Sequence, residues 1–263
     1  MKSRPLPILL LVSCLIALPL RAQFANFPAA DRVLGASDFT TTGNAAATPS
    51  GMLFPSGVVI DPLTGKLFVA SAGQNRVLRF ATATSLANGA NAESVFGQIT
   101  FSGTSTGVSA TNLASPSGIH VDRKGRLWVA DYTNNRVLMF EGASTLPGFG
   151  SSSDRVFGQP DFTTSSAGTT ASKMNGPVHV FVDASDNLWV SDANNNRVLK
   201  FANVSALGNG AAASAVIGQP NFTTSSASTS SVKMDRPFGV TVDAGGRRTP
   251  TDPGPSAGRE PRG

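Results

Sequence analysis

Two histidines are the side chains of this 263-residue chain best suited to acid–base or metal chemistry. His120 lies in the run GIHVD and His179 in the run VHVFVD, and both runs have the apolar alternation of a strand. A zinc site needs more ligands than two histidines supply, and a histidine within a strand is commonly structural. We therefore name His120 and His179 as candidate binding residues. We assign no catalytic or metal-binding residue and expect no cofactor.

Aspartate and arginine recur at fixed places along the chain. One aspartate ends the first predicted strand of each repeat unit, as Asp61, Asp122, Asp183 and Asp243. Another ends the second strand in two units, as Asp131 and Asp192, and an arginine begins the third strand, as Arg76, Arg136 and Arg197. Aspartate at the mouth of a turn accepts backbone N–H groups, and arginine pairs well with a carboxylate. We expect structural roles for these residues, the alternative being a ring of arginines that binds an anionic ligand.

The elements that position these side chains form a repeat of about 61 residues. The units are 55–115, 116–176 and 177–236, with a partial unit at 237–246, and a proline opens each one. Each full unit reads as four short strands separated by turn residues, for example GVVID, LFVAS, RVLRF and SVFGQ in the first. Small antiparallel sheets of this kind bury both faces by stacking around an axis. The sequence therefore predicts an all-β fold, a β-propeller of four-stranded blades, with a linear solenoid as the alternative.

The second unit resembles an NHL repeat. Residues 116–140 read PSGIHVDRKGRLWVADYTNNRVLMF, with the proline, the strand ending in Asp, the glycine turn, the Val-Ala-Asp strand and the Asn-Arg-Val start of the third strand. Residues 55–80 and 177–201 are similar, so that residues 23–246 are interpreted as NHL-type propeller repeats. The resemblance implies about three full blades plus partial ones. Long repeats with the link FGQPDFTT, at 157–164 here, resemble those of bacterial secreted proteins of the family.

A related activity can be examined at four positions. Amidating lyases have a propeller similar to this one, with zinc-binding histidines directly after the repeat proline. The corresponding residues here are Ser56, Ser117, Val178 and Phe238. None is histidine, so the resemblance does not extend to that activity.

The first 22 residues have the layout of a secretory signal peptide, with a basic start, an apolar stretch and Arg21-Ala22 before the cleavage point. The apolar stretch is short for a membrane span. Cys14 is the single cysteine, in a context similar to a bacterial lipobox. Five apolar residues follow it, so we do not expect a lipid anchor there. The predicted location is extracytoplasmic, secreted or periplasmic.

Both ends of the repeat region look incomplete. It opens with DRVLG at 31–35, which matches a fourth strand, and it stops after Gly246. Where the pattern predicts another second strand, residues 247–263 read RRTPTDPGPSAGREPRG. We expect a non-repeat, disordered tail. We interpret the loss of the repeat pattern as a frameshift or premature end, with a genuine tail as the alternative, and the nucleotide sequence read in three frames would distinguish them.

The distribution of charge along the chain bears on whether a nucleic acid could be its partner. Seven of the 21 basic residues lie in the first 22 and the last 17 residues, so that residues 23–246 hold 14 basic and 14 acidic side chains. A neutral body gives no support for nucleic-acid binding, which needs a concentrated basic face. We therefore expect a non-catalytic exported scaffold that binds a protein, peptide or glycan. The alternatives are an ion-dependent propeller enzyme of the lyase or lactonase kind and, second, RNA binding.

Overall fold

The computed structural model describes residues 29–43, 46–228 and 230–242, and a strand at 248–251. Within these residues the protein is all-β, as predicted, and three four-stranded antiparallel sheets form the blades of a β-propeller. The sheets belong to one compact unit that begins at Arg32. The predicted signal peptide, Cys14, Asp243 and most of the tail lie outside the described residues.

Each blade follows the chain order of its strands. Blade 1 holds β1 (Pro55–Ile60), β2 (Lys66–Ser71), β3 (Arg76–Thr82) and β4 (Ser94–Phe96). Blade 2 holds β5 (Pro116–Val121), β6 (Leu127–Asp131), β7 (Arg136–Phe140) and β8 (Arg155–Phe157). Blade 3 holds β9 (Pro177–Val182), β10 (Leu188–Asp192), β11 (Arg197–Phe201) and β12 (Ala215–Ile217). Short 3₁₀ turns occur at Ala72–Gln74, Ala83–Ser85, Ala193–Asn195 and Val204–Ala206.

A fourth sheet begins after blade 3. Strand β13 (Gly239–Val242) pairs antiparallel with β14 (Arg248–Thr251). We expected the chain from residue 247 onward to lack regular structure, and the four residues of β14 differ from that expectation. They pair with β13 as a second strand pairs with a first strand in the other blades.

Successive blades pack face to face around their first strands, since β1, β5, β9 and β13 are neighbours in that order. We call the face turned toward the preceding blade the leading face and the other the trailing face. The trailing face of blade 2 presents Trp128, Ala130, Val137 and Phe157, and it packs on the leading face of blade 3, with Val180, Val182, Leu188 and Val190. The seam between blades 1 and 2 is built in the same way. Large aromatic and aliphatic side chains in these seams supply the hydrophobic stabilisation of the stack.

The first strand of blade 1 is an exception to this packing on its leading face. Val58 and Ile60 are 68% and 52% exposed, whereas Val180 and Val182 at the same places of blade 3 are 0% and 8% exposed. Strand alternation points all four toward the preceding blade. The same apolar positions are therefore core residues in one blade and surface residues in another.

Residues 32–34 occupy the place of an outer strand next to blade 1. The Arg32 guanidinium donates to the Leu86 carbonyl, and the Val33 N–H donates to Asn88 Oδ1 at 3.1 Å. The fourth strand of blade 2 makes the equivalent bonds to blade 3, from the Arg155 guanidinium to the Leu207 carbonyl and from the Val156 N–H to Asn209 Oδ1 at 3.0 Å. The chain before blade 1 therefore contacts it as β8 contacts blade 3.

One turn feature, an asparagine between the second and third strands, links neighbouring blades. Asn135 adopts φ 54° between β6 and β7, and its Oδ1 accepts a 2.8 Å hydrogen bond from the Gly176 N–H, directly before the next repeat proline. Asn75 and Asn196 make the same bond to Ser115 and Arg236. Asparagine is suited to this place because it tolerates positive φ while its amide bonds to the backbone.

Candidate functional site

The recurring arginines are buried structural cations in blades 2 and 3. Arg136 Nε donates to Asp131 Oδ2 at 2.7 Å, and Arg197 Nε donates to Asp192 Oδ2 at 2.7 Å. All four side chains are fully buried, and each guanidinium also donates to backbone carbonyls of the flanking links. Burial raises the pKa of the Asp131 carboxyl, and the charge of Arg136 opposes that rise. A guanidinium held in this way has no donor to offer to a ligand at the surface.

The aspartates after the first strands cap the turns that follow. Asp122 Oδ1 accepts from the Lys124 N–H at 2.8 Å, and its Oδ2 accepts from Trp128 Nε1 at 2.8 Å. Asp183 receives the same bond from the indole of its own blade, Trp189, at 2.9 Å. Asp61, where the second strand has phenylalanine in place of tryptophan, accepts instead from Thr64 and Ser144. The link between aspartate and tryptophan was not predicted from the sequence, although the two residues stand six apart in both units.

Blade 1 lacks the acid that the other two blades pair with arginine. Ser71 stands in place of Asp131, and Gln74 in place of Asn134. Arg76 is fully buried, donates to the carbonyls of Phe101, Thr48 and Gly51, and has an Nε with no hydrogen-bond partner. Burial lowers its pKa from 12.5 to about 10. Unlike its counterparts, Arg76 is a buried cation without a carboxylate among the described residues.

One register position at which the repeats differ in chemistry lies at a cavity. Val59, His120 and Phe181 occupy the same register position of β1, β5 and β9, opposite Phe68, Trp128 and Trp189. All three line an open cavity of about 430 Å³ at the ends of the first strands. Ile60, Val121, Val182 and Val242 complete its apolar part, and Pro62, Asp122, Arg123, Asp183, Ala184 and Ser185 form its rim.

His120 is a neutral group in the wall of this cavity. Its ring centroid lies 4.9 Å from that of Phe181 in the next blade, and the ring forms a hydrogen bond with the backbone of Val182. Burial lowers its pKa from 6.5 to about 4; Asp122 opposes this fall and His179 adds to it. At neutral pH the imidazole is therefore uncharged and contributes an aromatic surface and polar ring nitrogens.

His179 lies elsewhere, in the seam between blade 3 and β13. Its Nδ1 accepts a long hydrogen bond of 3.5 Å from the Val240 N–H, and burial lowers its pKa. At the same register in blade 2 stands Gly118, where an added Cβ would lie only 2.6 Å from the Val178 carbonyl oxygen. Glycine allows two first strands to approach closely, and His179 fills the equivalent space at the next seam. Of the two candidate histidines, only His120 lines the cavity.

Arg123 is a cavity residue that sequence reasoning did not single out. It follows Asp122, where the other units have Pro62 and Ala184, so the departure from the repeat pattern was visible in the sequence. The side chain is exposed at the rim. Among the described residues no hydrogen-bond or ion-pair partner of its guanidinium is found.

The described part of the chain contains no group of three or more His, Cys, Asp or Glu side chains placed to hold a metal ion. It also contains no helix of the length and apolar character needed to cross a membrane.

Comparison with known proteins supports the repeat assignment. Residues 113–140 match the family model described as NHL repeat. A streptogramin B lyase structure is similar at 14% identity and a TM-score of 0.46, over 75% of this chain and 48% of that one. Virginiamycin B lyase from Staphylococcus aureus has 11% identity and a TM-score of 0.44 over the same shares. A nidogen/laminin complex has 17% identity and a TM-score of 0.40, over 65% of this chain and 49% of that one.

The chain spans about half the length of these solved structures. The comparison with curated protein sequences found no match.

Proposed function

We propose that this chain, a β-propeller protein of the NHL-repeat type, is an exported, non-catalytic scaffold that binds an apolar segment of a protein or peptide in the cavity at the ends of its first strands. One observation carries the proposal. The units differ in chemistry at the register position occupied by Val59, His120 and Phe181, and all three side chains line one cavity.

The chemistry of the cavity fits an apolar segment. Its wall is formed by aliphatic side chains, the Phe181 ring and an uncharged imidazole, while its charged groups stand at the rim. Its volume of about 430 Å³ lies within the range of roughly 300–1,000 Å³ common for ligand pockets. An apolar wall with a few polar groups at the mouth favours a partner that inserts one large apolar side chain and leaves its backbone at the rim.

The test measures peptide binding by the purified chain. Blocked pentapeptides with a central Phe or Leu are titrated against the same peptide with a central Gly. We expect only the apolar peptides to bind, and Phe181→Ala to weaken them on the order of ten-fold because it removes one aromatic wall. Lys233→Ala, remote from the cavity, is the matched control. Equal binding of all three peptides, or an unchanged affinity in Phe181→Ala, would contradict the proposal.

The same titration separates the alternatives. Glycan binding would be shown by oligosaccharides that compete with the peptide, and turnover of a bound molecule would favour an enzyme. Export is tested by fractionating cells that produce the full chain. Recovery only in the cytosol, with residues 1–22 still attached, would contradict it.

A further inference from the structure

A single unpaired cation stands at the mouth of the cavity within the described residues. The two rim carboxylates are already used inside their own turns. Asp122 accepts from Arg126 Nε at 2.6 Å as well as from Trp128, and Asp183 accepts from Asn187 and Trp189. Neither acid forms an ion pair with Arg123.

The neighbouring cations differ from Arg123 in this respect. Lys124 and Arg126 both pair with Asp186, the former at 3.1 Å. Arg123 is exposed, next to the apolar wall, with its donors available. A guanidinium presents its N–H groups as a planar fork that matches a carboxylate with two parallel hydrogen bonds.

From this arrangement we propose that the cavity recognises the C-terminus of a peptide, with the last side chain, large and apolar, against Val59 and Phe181 and the terminal carboxylate on Arg123. The inference rests on the proposed function and narrows it from any apolar segment to a free C-terminal residue. A chain end is required because an internal segment has no carboxylate of its own backbone to place at the rim. The neutral state of His120 leaves Arg123 as the cavity's cation at neutral pH.

The experiment compares acetyl-Gly-Gly-Phe as the free acid with the same peptide as the C-terminal amide. Binding is followed by NMR on the imidazole signals, because the chain has only two histidines and one of them lines the cavity. We expect the acid to bind at least about ten-fold more tightly than the amide, the size of a charge-assisted hydrogen bond. The signal of His120 should shift, while that of His179 in the neighbouring seam should shift much less.

Three variants identify the source of the preference. Arg123→Gln should reduce the ratio of the two affinities to about one, and Phe181→Ala should weaken acid and amide alike. Lys124→Gln removes a neighbouring cation that is paired with Asp186, and it should leave the ratio unchanged. Arg123 is exposed, so its replacement does not threaten the fold.

The outcomes separate the two proposals. If acid and amide bind equally, or if Arg123→Gln keeps the preference, the C-terminal recognition is wrong while the proposed function stands. If neither peptide binds, both are wrong. If 3-phenylpropionate binds as tightly as the peptide acid, the cavity recognises small aromatic acids, and the assignment of a peptide terminus is overturned.

Discussion

Replacing Ser71 by aspartate, together with Gln74 by asparagine, should stabilise the protein by giving Arg76 the partner that its counterparts have. The backbone is already arranged for the change. The Leu53 N–H donates to Ser71 Oγ at 3.0 Å, as the Ala114 N–H donates to Asp131 Oδ1 at 2.6 Å in blade 2. Ser71→Asp alone would leave the carbonyl of Gln74 beside the new carboxylate, since Ser71 Oγ now lies 3.0 Å from Gln74 Oε1.

The asparagine half of the change supplies a donor. In blade 2, Asn134 Nδ2 donates to Asp131 Oδ2 at 2.8 Å, and the shorter amide leaves room for the carboxylate. The double substitution therefore reproduces the aspartate and the asparagine that accompany the arginine in blade 2.

The expected gain in stability can be worked out from the burial of the Arg76 guanidinium. A fall in the pKa of Arg76 from 12.5 to about 10 corresponds to about 3 kcal/mol of unfavourable burial of its charge, at about 1.4 kcal/mol per pKa unit. The new carboxylate must also leave water, and that cost offsets part of the gain. We expect a net increase of about 1–2 kcal/mol in the free energy of unfolding. The reverse change in blade 2, Asp131→Ser, should cost about 3–5 kcal/mol, because it leaves Arg136 buried and unpaired.

Urea unfolding followed by far-UV circular dichroism measures both effects on the same scale. Both tryptophans of the chain lie in blades 2 and 3, so their fluorescence reports separately on the part of the stack that the Ser71 change does not alter. The reasoning would be refuted if the double variant were no more stable than the parent while Asp131→Ser cost under about 1 kcal/mol. That result would mean that the three backbone carbonyls alone satisfy the buried guanidinium.

Three other predictions concern the packing of the blades. Burial lowers the pKa of His120 from 6.5 to about 4, so the unfolded chain binds the proton at a higher pH than the folded chain does. The free energy of unfolding should therefore fall by up to about 3 kcal/mol as the pH drops from about 6.5 to about 4. His120→Leu should remove this part of the pH dependence, as measured by urea unfolding at pH 7 and 4.5. Val180→Thr should lower the free energy of unfolding by about 1–2 kcal/mol because it buries a hydroxyl, whereas Val58→Thr should change it by under about 0.5 kcal/mol. Thermal unfolding measures both changes, and equal effects would show that Val58 is covered in solution. Gly118→Ala should cost at least about 2 kcal/mol through its close approach to the next blade, and Gly208→Ala, with open space around it, should be near neutral by the same measurement.

Repeat symmetry is the reason that so much of the fold was predictable from one sequence. Four short apolar runs per unit, separated by turn residues, predicted the four strands of each blade, and the predicted antiparallel sheets are present in all three. Each unit supplies an independent reading of the same pattern, so an ambiguous run in one unit is resolved by its counterparts. The run LFVAS, for example, could belong to a helix, but its counterparts LWVAD and LWVSD alternate in the same register.

The site was less predictable because a strand pattern does not say which neighbour covers a side chain. His120 and His179 both break the repeat, and the sequence ranked them equally. They stand at different registers of their strands, so that one faces the cavity and the other a seam between first strands. The exposure of a side chain was equally hard to predict. Val58 and Val180 are chemically identical, but Val180 packs against blade 2 while Val58 is 68% exposed among the described residues.

A residue that departs from the repeat affects stability or binding, depending on where it lies in the blade. At a buried polar position, such as that of Ser71 where the other blades have aspartate, the departure leaves Arg76 Nε without a hydrogen-bond partner and so affects stability. A departure at the register of His120 changes the wall of a cavity, and one directly after the turn aspartate, such as Arg123, changes the charge at its mouth. Because Arg123 is exposed, its substitution should alter binding with little cost in stability. A substitution at the register of His120 also changes packing, since Phe181 lies against the buried cluster of Trp189, Val198 and Val240. The Arg123 variant therefore tests the site alone, and the Ser71 variant tests the fold. The affinity of Phe181→Ala is interpreted together with its own urea unfolding, because this ring contributes to packing as well as to the cavity wall.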